Sequence, residues 1–188
     1  MRVVAGQAKG RRLRAPKGSA ARYTSDFVRQ ALFNILAPEL PGTAFLDLFA
    51  GVGAVGIEAA SRGAREVVLV ERDPVRASYL VRNVREVGLA SCCRVFRQDV
   101  FAAIDMLRRR GARFEVIFLD PPYESGLAQA ALGRIAAGGL LAPGGVVVAE
   151  HGKRETMPAE VGSLHLVRRE VYGNTVLSFY RQRTGEGN

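Results

Sequence analysis

From Thr43 onward the chain alternates short apolar runs with stretches of helical periodicity, and this alternation limits its possible folds more than any other feature. Strands are expected at 44–48, 66–70, 93–97, 113–119 and 145–150, with helices between them at 54–62, 74–87, 100–110 and 125–137. Strands separated by helices pair in parallel, and their crossovers cover both faces of the sheet. The pattern therefore predicts a doubly wound α/β sheet. Two later runs, 164–171 and 175–181, are joined only by Tyr172-Gly173-Asn174 and predict an antiparallel hairpin closing the sheet edge. Upstream, Thr24 or Ser25 is expected to cap a helix over 26–36, where Phe27, Ala31, Leu32 and Ile35 recur at helical spacing before Pro38 and Pro41. At 188 residues, 48% of them hydrophobic, the chain has material for one such domain and no room for a second full one.

Composition removes several classes of function. The opening Met-Arg-Val-Val turns polar at once, and no apolar run approaches the ~18 residues of a membrane span, so a cytoplasmic protein is expected. Cys92 and Cys93 are adjacent, with no partner at metal-ligand spacing, and read as half-buried thiols; His151 and His165 are too isolated to suggest a metal pair. The formal charge is +9, and the excess is uneven: residues 1–25 carry seven basic groups and no acid. Val3, Val4 and Leu13 are interleaved among them, and Gly6, Gly10 and Gly18 punctuate the segment as turns. This favours a short basic β-hairpin over 1–24, contacting nucleic-acid phosphates through Lys9, Arg11, Arg12, Arg14 and Arg22, over a solvated basic tail. The rest of the chain, 25–188, forms the main domain.

Two motifs end predicted strands. Asp47-Leu-Phe-Ala-Gly51-Val-Gly53-Ala-Val-Gly56 follows the first strand and opens a helix, and Glu71 ends the second strand at the place for an acid that binds ribose hydroxyls. Glycines at this spacing suit NAD and S-adenosylmethionine alike. A carboxylate at Asp47, however, would repel a diphosphate and suit the cationic methionine end of S-adenosylmethionine. Asp99, after the third strand, is placed equally well to hold an adenine amine or to cap a helix. The second motif, Asp120-Pro121-Pro122-Tyr123, follows the strand 114–119. The Asp120 carboxylate and the Pro121 carbonyl, its direction fixed by the prolines, can accept both hydrogens of an exocyclic amine, while Tyr123 stacks on the ring that bears it. Alone, the tetrapeptide is also an ordinary turn; beside a cofactor loop at a neighbouring strand end it is a site for methylating nitrogen.

The chain resembles the RsmD-type ribosomal RNA methyltransferases over nearly its whole length, in Arg2 to Leu13, Arg22 to Asn34, Asp47 to Ala59, Glu71-Arg-Asp73, Asp120 to Tyr123 and Tyr172-Gly-Asn-Thr175. The N-terminal block is the specific part, and it departs from the family pattern at Tyr23, where proline is usual, and at Phe27, where arginine is usual. The resemblance implies a Rossmann-like class I methyltransferase sheet. It also implies transfer of a methyl group from S-adenosylmethionine to the N2 amine of one guanine in 16S ribosomal RNA, within the small ribosomal subunit or its assembly intermediate, by a monomer. On this reading Asp120, Pro121 and Tyr123 are catalytic, and Asp47, Gly51, Gly53, Glu71 and Asp99 bind the cofactor. Thr24 and Arg29 lie on a segment that passes near the cofactor carboxylate in related enzymes, although a capped helix explains them equally well, and Glu150-His151 reads as structural. Two other readings of the residues stay open: a DNA adenine or cytosine amino-methyltransferase, and a non-catalytic RNA-binding assembly factor. A glutamine methyltransferase is disfavoured, because its motif begins with Asn.

Overall fold

The computed structural model describes residues 1–16 and 25–183. Its strands are β1 (Ala44–Asp47), β2 (Glu66–Val70), β3 (Cys93–Phe96), β4 (Phe114–Leu119), β5 (Leu141–Gly152), β6 (Glu160–Val161), β7 (Leu164–Tyr172) and β8 (Thr175–Gln182). They form one sheet in the order β3-β2-β1-β4-β5-β8-β7-β6. The first five pair in parallel, and β5 with β8, β8 with β7 and β7 with β6 pair antiparallel. This is the class I methyltransferase sheet expected from the sequence. The helices are α1 (Asp26–Leu36), α2 (Ala54–Ser61), α3 (Pro74–Glu86), α4 (Val100–Arg109) and α5 (Leu127–Ala136).

Two differences from the sequence expectation have local causes. β5 begins four residues early, at Leu141, because Pro143-Gly144-Gly145 is absorbed in a break of register: Phe114 pairs with Leu141, but Val116 with Val146. β6 is a two-residue strand on the outer edge, too short to leave a periodic signal.

The central strands are buried on both faces, as parallel strands must be: Phe45, Val67, Val116, Phe118 and Val148 face one apolar cluster, and Leu46, Val68, Ile117 and Val147 face the other. The first cluster is covered by α1, α2, α3 and the N-terminal segment, and the second by α4 and α5. Helix starts follow local chemistry. Ser25 Oγ accepts from the Val28 amide at α1, Asp73 caps α3 with Pro74 at its first position, and Asp99 caps α4. Thr24 lies outside the described residues.

The N-terminal residues fold back on themselves through an antiparallel bridge between Arg2 and Arg12, with the Val3 amide donating to the Arg11 carbonyl. Val3, Ala8 and Leu13 are buried in the first cluster while Lys9, Arg11, Arg12 and Arg14 stay exposed. Two buried side chains lock this segment in place. Glu58 on α2 accepts from the amides of Val4 (2.7 Å) and Ala5 (2.9 Å) and from Arg62 Nε (2.7 Å), and its Oε2 lies 3.7 Å from Arg29 Nε. Asn83 on α3, fully buried, accepts from the Arg14 amide and donates to the carbonyls of Arg14 and Val52. Gly6 passes so close to α2 that a Cβ there would lie 1.8 Å from the Ser61 carbonyl oxygen.

Candidate active site

The crossover loops after β1 to β4 open at the sheet's C-terminal end, where doubly wound sheets bind their ligands. A cleft there holds about 530 Å³ of empty space continuous with solvent. Its polar lining comes from successive strand ends: Glu71, Arg72 and Arg76 after β2, Gln98 and Asp99 after β3, and Asp120 after β4, with Leu48, Phe49 and Pro122 as apolar walls. The structure therefore brings Glu71, Asp99 and Asp120 into one pocket.

The glycine loop forms the frame of this cleft. It is laced to β4 by the Leu48 amide on the Phe118 carbonyl and to the end of β2 by the Ala50 amide on the Val70 carbonyl and the Gly51 amide on Glu71 Oε2. Gly53 caps α2 in the left-handed region at φ 95, where a side chain would also strike Leu80 and Ile57. Gly56 meets a different demand, since a Cβ there would lie 2.5 Å from Leu69 and would force α2 off the sheet. Asp47 stands behind the loop and not on the cleft wall. It is 1% exposed, and its Oδ2 accepts from the Gly56 amide at 3.0 Å. Its Oδ1 is sealed from solvent without a well-formed hydrogen bond. Burial pushes the Asp47 carboxyl up to about 7, against the smaller lowering effects of the Gly56 and Phe49 amides.

Glu71 is held more firmly. Oε2 takes the Gly51 amide, Oε1 takes the Asp73 amide at 2.7 Å, and Arg76 Nη2 lies 3.4 Å from Oε1. Asp99 is the α4 cap, its Oδ1 accepting from the Phe101 amide at 2.9 Å, and the same residue lines the cleft. Arg76 and Gln98 had no signal in the sequence. Gln98 faces the cleft with its Nε2 buried and unbonded, a donor set beside the Asp99 acceptor.

At the β4 end, Pro121 is buried, and Glu124 takes up the left-handed region at φ 57, a costly conformation for a side-chain-bearing residue. Tyr123 is turned toward β5 and β8. Its hydroxyl meets Glu150 Oε1 at 3.2 Å and Thr175 Oγ1 at 3.1 Å, and its ring lies where a side chain on Gly152 would crowd it, 3.1 Å from Cδ2. Glu150, read from the sequence as structural, thus holds the tyrosine of the motif. His151 does not: its ring is bonded to Ser178 Oγ and the Gly152 carbonyl, and burial holds its pKa below the usual value. Arg29 is completely buried between Arg2, Asp26 and Glu58. Arg22 lies outside the described residues.

Burial and the neighbouring Cys92 push the Cys93 thiol up, so Cys93 is not a ready thiolate. Among the described residues no cluster of three or more His, Cys, Asp or Glu could hold a metal ion, and no helix is long and apolar enough to cross a membrane.

The family model described as "Conserved hypothetical protein 95" matches residues 1–181. The chain is 38% identical to the Bacillus subtilis protein named "Putative rRNA methyltransferase YlbH", covering 97% of this chain and 100% of that one. It is 33% identical to ribosomal RNA small subunit methyltransferase D of Escherichia coli, covering 100% and 92%. Among solved structures, a hypothetical protein of Thermus thermophilus superposes with a TM-score of 0.84 at 40% identity, covering 95% of this chain and 98% of that one. The unbroken match from the N-terminal segment through the last strand places this chain in the Conserved hypothetical protein 95 family, that of the RsmD-type ribosomal RNA methyltransferases.

Proposed function

We propose that this protein transfers a methyl group from S-adenosylmethionine to the exocyclic N2 amine of a guanine in small-subunit ribosomal RNA. The observation that carries the reading is the single cleft in which Glu71, Asp99 and Asp120 meet at the ends of three parallel strands of one sheet. Acids at three strand ends suit a cationic, phosphate-free nucleoside and disfavour a dinucleotide. The residues present fit S-adenosylmethionine: Glu71 retains acceptor capacity for ribose hydroxyls, Gln98 and Asp99 offer a donor and an acceptor to an adenine edge, and the sealed Asp47 stands behind the loop where a cation would offset its burial.

Bound there, S-adenosylmethionine supplies an electrophilic methyl carbon. The protein's task is to hold the amine in line with it. The Asp120 carboxylate and the Pro121 carbonyl accept the two N–H hydrogens, drawing the nitrogen lone pair out of conjugation with the ring and stabilising the positive charge that develops on nitrogen. With S-adenosylmethionine bound, the N–C bond would form as the S–C bond broke, and the Asp120 carboxylate, or solvent, would take the proton that the nitrogen gives up. Tyr123, its hydroxyl held by Glu150 and Thr175, presents its ring as the stacking surface that fixes the base. Exposed Lys9, Arg11, Arg12 and Arg14, with Arg22, supply sequence-independent affinity for the RNA backbone; Arg14 exchanges its 2.9 Å pair with Glu86 to do so.

Methyl transfer from radiolabelled S-adenosylmethionine to unmethylated small ribosomal subunits, naked 16S ribosomal RNA and duplex DNA tests the proposal. Label recovered as N2-methylguanine from subunits or RNA is the expected result. Label found only in DNA moves the assignment to a DNA amino-methyltransferase, and label in neither nucleic acid refutes it.

A further inference from the structure

Phe27, at the start of α1, does not serve the core. Val28, Leu32, Phe33 and Leu36 bury that helix, whereas Phe27 is 68% exposed, more than any other large apolar side chain described. It is not isolated, however. Its ring meets that of Tyr172 edge-on, with centroids 5.7 Å apart and planes at 82°. An edge-to-face contact covers one flat face of one ring, in contrast to a stacked pair, which covers a face of each.

The sheet register locates this pair. Tyr172 and Thr175 are directly opposed across the two-residue turn Gly173-Asn174, with Gly173 at φ 61. Opposed residues on antiparallel strands project from the same face, with Cβ atoms about 5 Å apart. Thr175 Oγ1 is the atom that holds the Tyr123 hydroxyl. An unbroken line on one face therefore runs from Tyr123 through Thr175 to Tyr172 and Phe27, at the same rim of the sheet. Cations flank the line. The Lys153 amide donates to the Asn174 carbonyl within that turn, so exposed Lys153 and Arg154 sit beside it.

We propose that Phe27 and Tyr172 form a second stacking platform, which takes an unpaired base of the RNA next to the nucleotide being methylated. The inference rests on the RNA methyltransferase reading above. An exposed aromatic face bordered by cations has the chemistry of single-strand binding surfaces, where rings stack on bases without reading their edges and cations take the intervening phosphates. Extruding a guanine toward Tyr123 unstacks its neighbour as well, and a platform one strand pair away recovers part of that cost.

The test uses the full chain, unmethylated small-subunit ribosomal RNA transcript, and the variants Phe27→Ala and Phe27→Trp. Phe27→Ala is expected to raise the Kd and KM for RNA about tenfold. Its S-adenosylhomocysteine affinity, thermal midpoint and slope of log affinity against log salt should match the parent, because no cation and no core contact is lost. Phe27→Trp should restore RNA affinity. Unchanged Kd and KM in Phe27→Ala overturn the platform, as does a Phe27→Trp variant as weak as Phe27→Ala. Concentration-dependent self-association that Phe27→Ala abolishes, with RNA affinity untouched, also overturns it and assigns the pair to contact between copies of this chain. If the parent chain binds RNA but transfers no methyl, the functional reading fails while the RNA affinities still decide the platform.

Discussion

Glu58 and Asp47 are both carboxylates sealed inside the molecule, on either side of the glycine loop, yet they are treated in opposite ways. Glu58, 0% exposed, receives two backbone amides and the Arg62 guanidinium, with Arg29 close by. Asp47, 1% exposed, receives one good hydrogen bond and, among the described residues, no cation, and its proton is held up to about pH 7. The first arrangement fastens the N-terminal segment to α2 and is complete without a ligand. The second is incomplete, and it lies behind the loop where a cationic cofactor is expected. A burial cost left uncompensated in the cofactor-free protein can be returned when the ligand binds, which is how a binding site differs from a structural knot.

The comparison breaks if substitution at Glu58 spares folding. Glu58→Ala should cost about 3–5 kcal/mol in denaturant unfolding, because it removes the buried carboxylate beside Arg29 and leaves two amides without acceptors. Asp120→Ala, at the cleft, should leave the unfolding midpoint and cofactor affinity close to the parent and reduce turnover on the order of 100- to 1,000-fold in single-turnover methylation.

Asp47→Asn sharpens the contrast. The folded-state pKa of Asp47 lies above its unfolded value, so folding takes up a proton between about pH 4 and pH 7. The Asp47 contribution to the stability of the cofactor-free protein is therefore most favourable at low pH and declines as pH rises to about 7. Asn should remove that slope in unfolding measured across pH 4–8. Since a nearby cation favours the ionised carboxylate, cofactor affinity in the parent should rise with pH up to about 7, and calorimetry in two buffers should register proton release. In Asp47→Asn both effects should vanish and affinity should fall roughly tenfold, about 1.4 kcal/mol.

The smallest effect is expected at the surface. Replacing Arg11, Arg12 and Arg14 together should lower the slope of log RNA affinity against log salt by about 2, with stability changed by less than about 1 kcal/mol. An unchanged slope would show that the basic segment does not meet phosphates.

What the sequence disclosed follows the range of the interactions. Strands β1 to β4 were legible to within a residue or two; for β1, β2 and β4 the reason is that a buried parallel strand is a nearly continuous apolar run between polar ends. Glu71, Asp99 and Asp120 were legible for a related reason, each being a polar residue within a few positions of the end of such a run. The early start of β5 was hidden by Pro143-Gly144-Gly145, which reads as a turn unless β4 is known to break register beside it. Arg76 and Gln98 could not be found, since they are marked by facing a cleft and not by any spacing along the chain, and Glu150 could be noticed at its strand end but not tied to Tyr123. The basic N-terminal charge was plain, but its anchoring was not: Glu58 lies 54 residues from Val4, and Asn83 lies 69 from Arg14.

Asn83 gives that anchoring a wider meaning. One side chain holds both the backbone of Arg14 and the carbonyl of Val52 inside the glycine loop, so the basic segment that ends at Arg14 is not a detachable cassette. Trimming the basic segment would leave Asn83 with unmet polar atoms against the glycine loop, and a segment grafted from a relative would have to present the same backbone amide and carbonyl there. Exposed positions such as Lys9 and Arg11 can therefore be changed one side chain at a time without disturbing this anchor, while the backbone that carries them is tied to the glycine loop.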